Sequence, residues 1–260
     1  MKIATLNINS INAHLPALIN WLLQVSPDIV FLQEIKTDVN GFPFLELQMA
    51  GFYAEVLGQK GYNGVAILSK KKLGLNSYNL PCFDNSESRY LEMLLDNKIC
   101  LVSVYMPNGN PKPSDKFDQK LAFMKAFNAR AKSLLFKYDY VVLGGDFNVI
   151  LEDTDVFDPQ LFKNNALTDE CARGYITALK YMGYYDAYRM VHEKDSGYTY
   201  WDYGARSFDN DFGMRIDYFF VSPKMCDCLK NCSVDKSLRA AERPSDHTAL
   251  VADFDLGEEK

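Results

Sequence analysis

Residues 140–148 read Tyr140-Val141-Val142-Leu143-Gly144-Gly145-Asp146-Phe147-Asn148. The first four are apolar, and most are β-branched or aromatic, which predicts a buried strand over 140–143. Two glycines then lead to a carboxylate and an amide, so polar side chains follow the strand directly. Ligand sites of open α/β sheets lie at such strand ends. The stretch therefore predicts an α/β protein with a functional site at the end of this strand.

Further apolar runs of strand length occur at 3–8, 28–33, 64–69, 99–105, 215–221 and 248–254. Apolar residues at helical spacing predict helices over 15–24, 117–136 and 169–182, with Thr168 as an N-cap and Gly183 ending the last helix. Strands follow both strands and helices, which favours sheets with helices packed outside over an all-parallel barrel. Segments 76–89 and 197–213 are predicted as long surface loops. With no linker-like stretch, we expect a single domain over residues 1–260.

The composition is that of a globular protein, with 48% hydrophobic residues and a net charge of −6. A negative charge is unusual for a nucleic-acid enzyme, but a carboxylate cluster that binds metal would account for part of it. Lys112, Lys116, Lys120 and the lysines at 70–72 are candidates for a basic rim. No secretory signal or membrane-length apolar run is present, and the six cysteines fit reduced thiols. We therefore expect a cytoplasmic protein without a membrane partner.

Polar residues interrupt or follow the predicted strands at Asn7, Glu34, Tyr105, Asp146, Asn148, Asp217, Asp246 and His247. Their carboxylate and amide oxygens suit Mg²⁺, Mn²⁺ or Ca²⁺ better than zinc. A carboxylate inside an apolar run, such as Asp217, must be paired or lie near a metal. Its partner is either the neighbouring Arg215 or a functional group. An Asp–His pair can polarise an attacking water, so the set predicts metal-assisted hydrolysis.

The chain resembles the exonuclease III family of apurinic/apyrimidinic endonucleases, which have the endonuclease/exonuclease/phosphatase fold. The resemblance lies in eight blocks that occur in family order: Asn7-Ile8-Asn9, residues 32–36, residues 58–67, residues 105–109, residues 144–148, Trp201-Asp202-Tyr203, Arg215-Ile216-Asp217 and residues 244–247. Each block alone is a weak signal, but the ordered set covers nearly the whole chain and is specific.

The resemblance implies a four-layer α/β sandwich, with two packed central mixed β-sheets flanked by helices. It also implies Mg²⁺-dependent hydrolysis of the phosphodiester 5′ to abasic sites in duplex DNA, with Mn²⁺ as a substitute ion. The family's 3′→5′ exonuclease and 3′-phosphatase activities would accompany this reaction. The expected partner is double-stranded DNA with abasic sites or 3′ ends, bound by a monomer.

The resemblance also implies roles for individual residues. The implied metal site comprises Asn7, Glu34, Asp146, Asn148, Asp246 and His247, the catalytic set comprises Tyr105, Asp146, Asn148, Asp217 and His247, and the DNA contacts comprise Asn108, Trp201 and Phe208. Asp217 would orient the histidine, and Tyr105 would stabilise developing charge. Either Asp146 or His247 would activate water. For Trp201 and Phe208, lining a pocket for a flipped-out sugar and packing in the core are both open.

The chain departs from the family pattern in two places: Asn12 followed by His14 stands where an arginine is usual, and in Gly204-Ala205-Arg206 the usual basic residue is displaced. These departures leave open an enzyme that is mainly a 3′→5′ exonuclease. The sequence is also compatible with a catalytically inactive DNA-binding relative, a non-specific nuclease, and an inositol or sphingomyelin phosphodiesterase. The complete catalytic set argues against the inactive relative, and the blocks at 58–67 and 201–203 favour a repair nuclease.

Overall fold

The structure is a computed structural model that describes residues 1–257. In chain order its strands and helices are β1 (Lys2–Asn7), α1 (Ile11–Val25), β2 (Ile29–Gln33), α2 (Phe44–Met49), β3 (Tyr53–Leu57), β4 (Val65–Ser69), β5 (Gly74–Ser77), β6 (Tyr90–Leu95), β7 (Ile99–Tyr105), α3 (Asp115–Lys137), β8 (Tyr140–Asp146), α4 (Glu170–Met182), β9 (Tyr185–Asp186), α5 (Ala187–Val191), β10 (Tyr200–Trp201), β11 (Gly213–Met214), β12 (Asp217–Val221), α6 (Pro223–Asp227), β13 (Leu229–Asp235) and β14 (Ala249–Phe254). Within these residues, no helix combines the length and apolarity needed to span a membrane.

Two mixed sheets form the centre of the described chain, with strand orders β13-β14-β1-β2-β4-β3 and β5-β6-β7-β8-β12-β9. In each sheet one central pair is parallel, β1 with β2 and β7 with β8, and the neighbouring pairs are antiparallel. The sheets pack face to face through apolar residues such as Phe31 and Phe219, whose ring centroids are 6.0 Å apart. Apolar residues of α3 and α4 cover the second sheet, and those of α1 and α2 cover the first. This arrangement confirms the predicted four-layer α/β sandwich.

The strand directions bring the predicted polar positions to one edge of both sheets. Tyr105 at the end of β7 lies opposite Asp146 in β8, and Asp146 lies opposite Asp217 at the start of the antiparallel β12. In the first sheet, Asn7 ends β1 beside the end of β2, and His247 stands just before the antiparallel β14. In each sheet the two parallel strands end at this edge, and their antiparallel neighbours begin there. The residues at the strand ends of both sheets therefore form one site.

The two glycines of the 140–148 stretch allow β8 to fit between its neighbours. A Cβ at Gly145, where φ is +149°, would lie 1.9 Å from the carbonyl oxygen of Val104. A Cβ at Gly144 would lie 2.5 Å from the ring of Phe219. Side chains at these positions would push β8 away from β7 or from the packed ring. Glycine therefore keeps Asp146 close to the strands on either side.

Every predicted strand and helix is present; the strand over 99–105 has the predicted ends, and the other elements have shifted ends. The strand predicted over 140–143 continues to Asp146, and the first helix begins earlier, at Ile11. The prediction of Thr168 as N-cap was wrong, because the Asp169 carboxylate accepts the hydrogen bonds from the backbone N–H groups of Cys171 and Ala172. Strands β3, β5, β6, β9 and β13 were not predicted, and the expected loop at 197–213 contains β10 and β11.

Candidate active site

Asn7 joins the two sheets at the site. Its Nδ2 donates to Glu34 Oε1 at 2.8 Å and to Asp146 Oδ2 at 3.0 Å. Its Oδ1 accepts from the backbone N–H of Asn9 at 3.1 Å. In this arrangement Asn7 offers a donor to the two carboxylates, and its oxygen points to the backbone. Asn7 therefore orients Glu34 and Asp146.

Glu34 follows β2 in the left-handed backbone region, with φ of +49°. Burial alone would raise the pKa of Glu34, but hydrogen bonds from Asn7 and Lys36 and the charge of Lys36 outweigh burial and lower it. The Lys36 ammonium lies 2.9 Å from Glu34 Oε2. Glu34 is therefore ionised at neutral pH. Lys36 was not among the predicted site residues, although it lies in the block at 32–36 that carried part of the resemblance.

His247 and Asp217 form a buried pair. The imidazole Nδ1 and Asp217 Oδ2 are 2.8 Å apart, and the Thr199 hydroxyl donates to the same oxygen at 2.6 Å. Burial lowers the pKa of His247, but the charges of Asp217 and Asp146 and the bond to Asp217 raise it to about 10. The imidazole Nε2 lies 3.8 Å from Asp146 Oδ2. The pair therefore holds an imidazolium beside Asp146.

Arg215, the neighbouring residue that could have paired with Asp217, lies in a different buried network. Its guanidinium contacts Asp155 and Asp186, each at 2.8 Å. Asp217 Oδ1 is buried and has no hydrogen-bond partner. The carboxylate of Asp217 thus faces the site, and Arg215 anchors the chain just before β12.

Asp146 is a carboxyl group whose pKa lies close to neutral pH. Burial raises its pKa to about 7, helped by the charge of Asp217 and opposed by His247. Asp146 Oδ1 accepts from the backbone N–H of Asn148 at 2.9 Å, which fixes the orientation of the carboxyl group. A group with such a pKa can both accept and return a proton near pH 7.

Tyr105 and Asn148 complete the polar surface. Burial, together with the charges of Glu34 and Asp146, raises the pKa of Tyr105 far above its ordinary value, so its phenol stays protonated and can donate. Asn148 donates from Nδ2 to the carbonyl of Met106 at 3.0 Å and accepts on Oδ1 from Asn108 Nδ2, also at 3.0 Å. These bonds fix the amide plane of Asn148.

These residues open into a cavity of about 530 Å³. Glu34, Tyr105, Asn108, Asp146, Asn148, Asp246 and His247 line it together with Asn110, Asn165 and an apolar wall of Phe157, Phe162, Leu167, Tyr200, Phe212, Met214 and Ile216. The cavity thus has an acidic floor, an amide wall and an apolar wall. Such a shape suits a sugar or nucleotide unit next to a phosphate.

Trp201 and Phe208 are not among the residues that line this cavity, which favours packing in the core, the second of the two roles left open for them. Trp201 is fully buried, and its Nε1 donates to Asp211 at 3.1 Å. Phe208 packs edge-on against the indole at 5.1 Å between centroids. The two aromatics therefore pack against each other, with Trp201 buried and Phe208 half-buried. The neighbouring Tyr200 and Met214 take the wall positions.

The predicted basic rim also needs correction. Lys120 is fully buried and donates to three backbone carbonyls. Burial lowers the pKa of Lys120 to about 7, and the charges of Asp146 and Asp169 oppose this shift. The three carbonyl acceptors match the three protons of an ammonium group. Lys70 and Lys71 line a different cavity of about 680 Å³ at the opposite sheet edge. Neither set forms a rim around the site.

The donor chemistry fits a hard divalent cation. One ligand atom each from Asp146, Asp217 and His247 lies within 4.8 Å of the others. The unpartnered Asp217 Oδ1 and the ionised Glu34 supply anionic oxygens at the same edge, and Asp246 lines the same cavity. Oxygen donors of this kind suit Mg²⁺ or Mn²⁺.

Residues 4–247 match the Endonuclease/Exonuclease/phosphatase family. An exodeoxyribonuclease III from Haemophilus influenzae is 27% identical over 98% of this chain and 100% of its own length. Among solved structures, a 3′ phosphatase from Neisseria bound to a product DNA hairpin is 36% identical, with a TM-score of 0.95 over 98% of this chain and 99% of that one. An AP endonuclease from Archaeoglobus fulgidus is 32% identical, with a TM-score of 0.94 over 98% of this chain and 100% of that one.

Proposed function

Because the chain belongs to the Endonuclease/Exonuclease/phosphatase family, we propose that it is a divalent-metal-dependent DNA-repair nuclease. It hydrolyses the phosphodiester 5′ to abasic sites in duplex DNA and also acts at 3′ ends as a 3′→5′ exonuclease and 3′-phosphatase. Mg²⁺ is its ion, and Mn²⁺ substitutes. It works as a single-domain monomer on chromosomal DNA in the cytoplasm.

One observation carries this proposal. Three groups meet at one cavity: the ionised carboxylate of Glu34, the Asp146 carboxyl group with a pKa of about 7, and the His247 imidazolium that Asp217 holds. Neutral amides surround them. Hydrolysis of a phosphodiester requires such groups together. The anionic phosphate oxygens must be stabilised by positive charge or hydrogen-bond donors, and the attacking water needs a base. The names of the DNA-cleaving relatives support DNA as the substrate.

Glu34, Asp146 and Asp246 would hold the cation, which when bound neutralises charge on the phosphate and assists the leaving oxygen. Asp146 accepts the proton of the attacking water at Oδ2 as the water oxygen bonds to phosphorus. The P–O3′ bond breaks, the 3′-oxygen takes a proton from solvent water to become a 3′-hydroxyl, and Asp146 returns its proton to solvent. His247 donates from Nε2 to a phosphate oxygen, as Nδ1 is engaged by Asp217.

Asn148 and Tyr105 donate to the phosphate in the same step. The Asn148 amide is held by Met106 and Asn108, so it meets the phosphate without reorganising. The protonated phenol of Tyr105 supplies a donor where negative charge develops. Asn108, which is exposed beside Asn148, contacts the adjacent backbone phosphate.

A second candidate is an enzyme that acts mainly at 3′ ends. The Neisseria 3′ phosphatase is 36% identical to this chain and the archaeal AP endonuclease 32%. The family resemblance also implies that the usual basic residue after Trp201-Asp202-Tyr203 is displaced to Arg206, in a segment that borders the cavity. Weaker binding at an internal abasic site would follow from that displaced charge.

The test uses two labelled duplexes, one with a single tetrahydrofuran abasic analogue and one with a recessed 3′-phosphate. The proposal predicts a nick 5′ to the analogue and release of phosphate, both with Mg²⁺ and neither with EDTA. Release of phosphate without a nick would leave only the second candidate. Tight binding without cleavage of either duplex would reassign the chain as an inactive DNA-binding relative.

Substitutions at the site should separate chemistry from binding. Asp146→Asn and His247→Ala are expected to lower turnover by about 10²-fold or more, with DNA affinity changed several-fold at most, because both groups act in the transition state. Single-turnover rates and binding in EDTA measure the two effects. Normal rates in both variants would remove these residues from the catalytic set.

A further inference from the structure

Lys120 in α3 is fully buried close to the site and belongs to none of the groups assigned above. Its ammonium donates to the carbonyl oxygens of Asn108 at 3.0 Å, Asn148 at 2.6 Å and Ala166 at 3.0 Å. Across residues 1–257, no carboxylate oxygen comes within ion-pair distance of this ammonium. A buried lysine without an ion pair is costly, so three carbonyl bonds must stabilise it.

The three carbonyls belong to two connecting segments, because Asn148 and Ala166 lie at opposite ends of the one between β8 and α4. Asn108 follows β7, which ends in Tyr105, and Asn148 follows β8, which ends in Asp146. Ala166 comes from the segment between β8 and α4 and precedes Leu167, a residue of the apolar wall. A single ammonium therefore bonds the segment after β7 to both ends of the segment between β8 and α4.

The same segments carry a continuous chain of side-chain amides along one wall. Asn108 donates to Asn148, Asn110 Nδ2 donates to Asn108 Oδ1 at 2.8 Å, and Asn110 also donates to Asn165 Oδ1 at 2.9 Å. Each amide can donate to a substrate only if its loop is fixed. The buried ammonium lies behind this wall and bonds to the backbone of two of its members.

Gly109 shows how closely the lysine is fitted. The glycine has φ of +82°, and a Cβ there would lie 2.6 Å from Lys120 Cδ. Any side chain at 109 would strain the backbone and displace the lysine stem. The glycine of the 105–109 block thus leaves room for the lysine to reach the carbonyls.

We propose that Lys120 is a positioning residue for phosphodiester hydrolysis, which fixes Asn108 and Asn148 from behind so that the Asn148 amide meets the scissile phosphate. The proposal rests on the proposed function for its reaction. The Asn148 amide acts on the scissile phosphate itself, so its displacement affects the reaction step more than DNA binding. Loss of the ammonium therefore lowers kcat about 10–100-fold and leaves KM within about threefold.

The experiment compares Lys120→Met with Lys125→Met, the same substitution at an exposed position of the same helix. Steady-state kinetics on the abasic duplex give kcat and KM, and ¹H–¹⁵N spectra of the metal-free protein follow the side-chain amides of Asn108 and Asn148. We expect a lower kcat and shifted amide signals in Lys120→Met, and neither in Lys125→Met. Ammonium or methylamine added to Lys120→Ala should restore part of kcat.

A folded Lys120→Met variant with wild-type kcat, or with a raised KM at unchanged kcat, would overturn the proposal. If Lys120→Met fails to fold, Gly109→Ala tests the same point, because it displaces the lysine while retaining its charge. Wild-type turnover in Gly109→Ala would then refute the positioning role. Wild-type protein that cuts neither duplex would refute the proposed function, and unshifted amide signals would refute the positioning role independently.

Discussion

Replacing Asp217 with asparagine removes one buried negative charge and preserves the shape of the side chain. Two unit charges about 4 Å apart interact by about 4 kcal/mol at an effective dielectric constant of about 20, which is about 3 pKa units. Asp217 is the main group raising the pKa of His247 from 6.5 to about 10, against the effect of burial. We therefore expect the pKa of His247 in Asp217→Asn to fall to about 7, so that the ring is largely neutral at pH 8.

The chain offers a direct measurement, since it contains only three histidines. Their ring carbon-bound proton signals are followed by NMR from pH 5 to 10 in metal-free and DNA-free protein. The signal of His247 should remain that of an imidazolium to about pH 9 in the wild type and titrate near neutrality in Asp217→Asn. Turnover on the abasic duplex at pH 8 should fall about 10²–10³-fold, the usual cost of losing one preorganised donor to a developing anion.

Asp195→Asn is the matched control, because Asp195 lies 3.0 Å from the ring of His192 on the exposed surface. This variant should leave both turnover and the His247 signal unchanged. An unchanged pKa of His247 in Asp217→Asn would refute the electrostatic reasoning. A shifted pKa with wild-type turnover would refute the role of the imidazolium in the reaction.

Three further outcomes follow from the contacts described. Glu34→Gln should raise the Mg²⁺ concentration for half-maximal activity at least about 10-fold, and an unchanged Mg²⁺ titration would remove Glu34 from the cation site. Burial raises the pKa of Asp169, but the hydrogen bonds from Lys112 and from the backbone N–H groups of Cys171 and Ala172, together with the charge of Lys112, lower it. The stabilisation from Asp169 is therefore present above the unfolded pKa of about 3.9 and is lost as pH falls through the lowered folded pKa. Asp169→Asn should thus cost about 0.5–1 kcal/mol of unfolding free energy at pH 7 and nothing near pH 2, as urea unfolding would measure. Trp201→Phe, which loses the bond to Asp211, should cost about 1–3 kcal/mol and leave KM for DNA unchanged, whereas a several-fold rise in KM would restore Trp201 as a DNA contact.

The central strands could be predicted because both of their faces are buried, which requires continuous apolar runs. The edge strands lack this signal. Strand β13 reads Leu-Lys-Asn-Cys-Ser-Val-Asp and is mostly half-buried or exposed. Strand β6 contains the fully buried Glu92, whose ion pair is with Arg130 in α3 at 2.7 Å. A charge neutralised from a distant helix cannot be recognised in the local sequence.

The polar residues of the site could be predicted because they follow strands that end at one sheet edge. The direction of individual side chains could not. Trp201 and Tyr200 are adjacent and aromatic, yet one is buried in the core and the other lines the cavity. Lys120 was expected at the surface because a lysine is usually solvated. Its acceptors are backbone carbonyls, which are present in every residue and carry no sequence signal.

The last strand has a consequence for the order in which the molecule is made. β14 lies between β13 and β1, and Ser245 just before it donates to the carbonyl of Asn7 at 2.8 Å. A nascent chain that has reached residue 244 already contains Glu34, Asp146 and Asp217, but it lacks His247 and the antiparallel partner of β1. The catalytic set therefore becomes complete only after β14 has been made and has paired between β13 and β1.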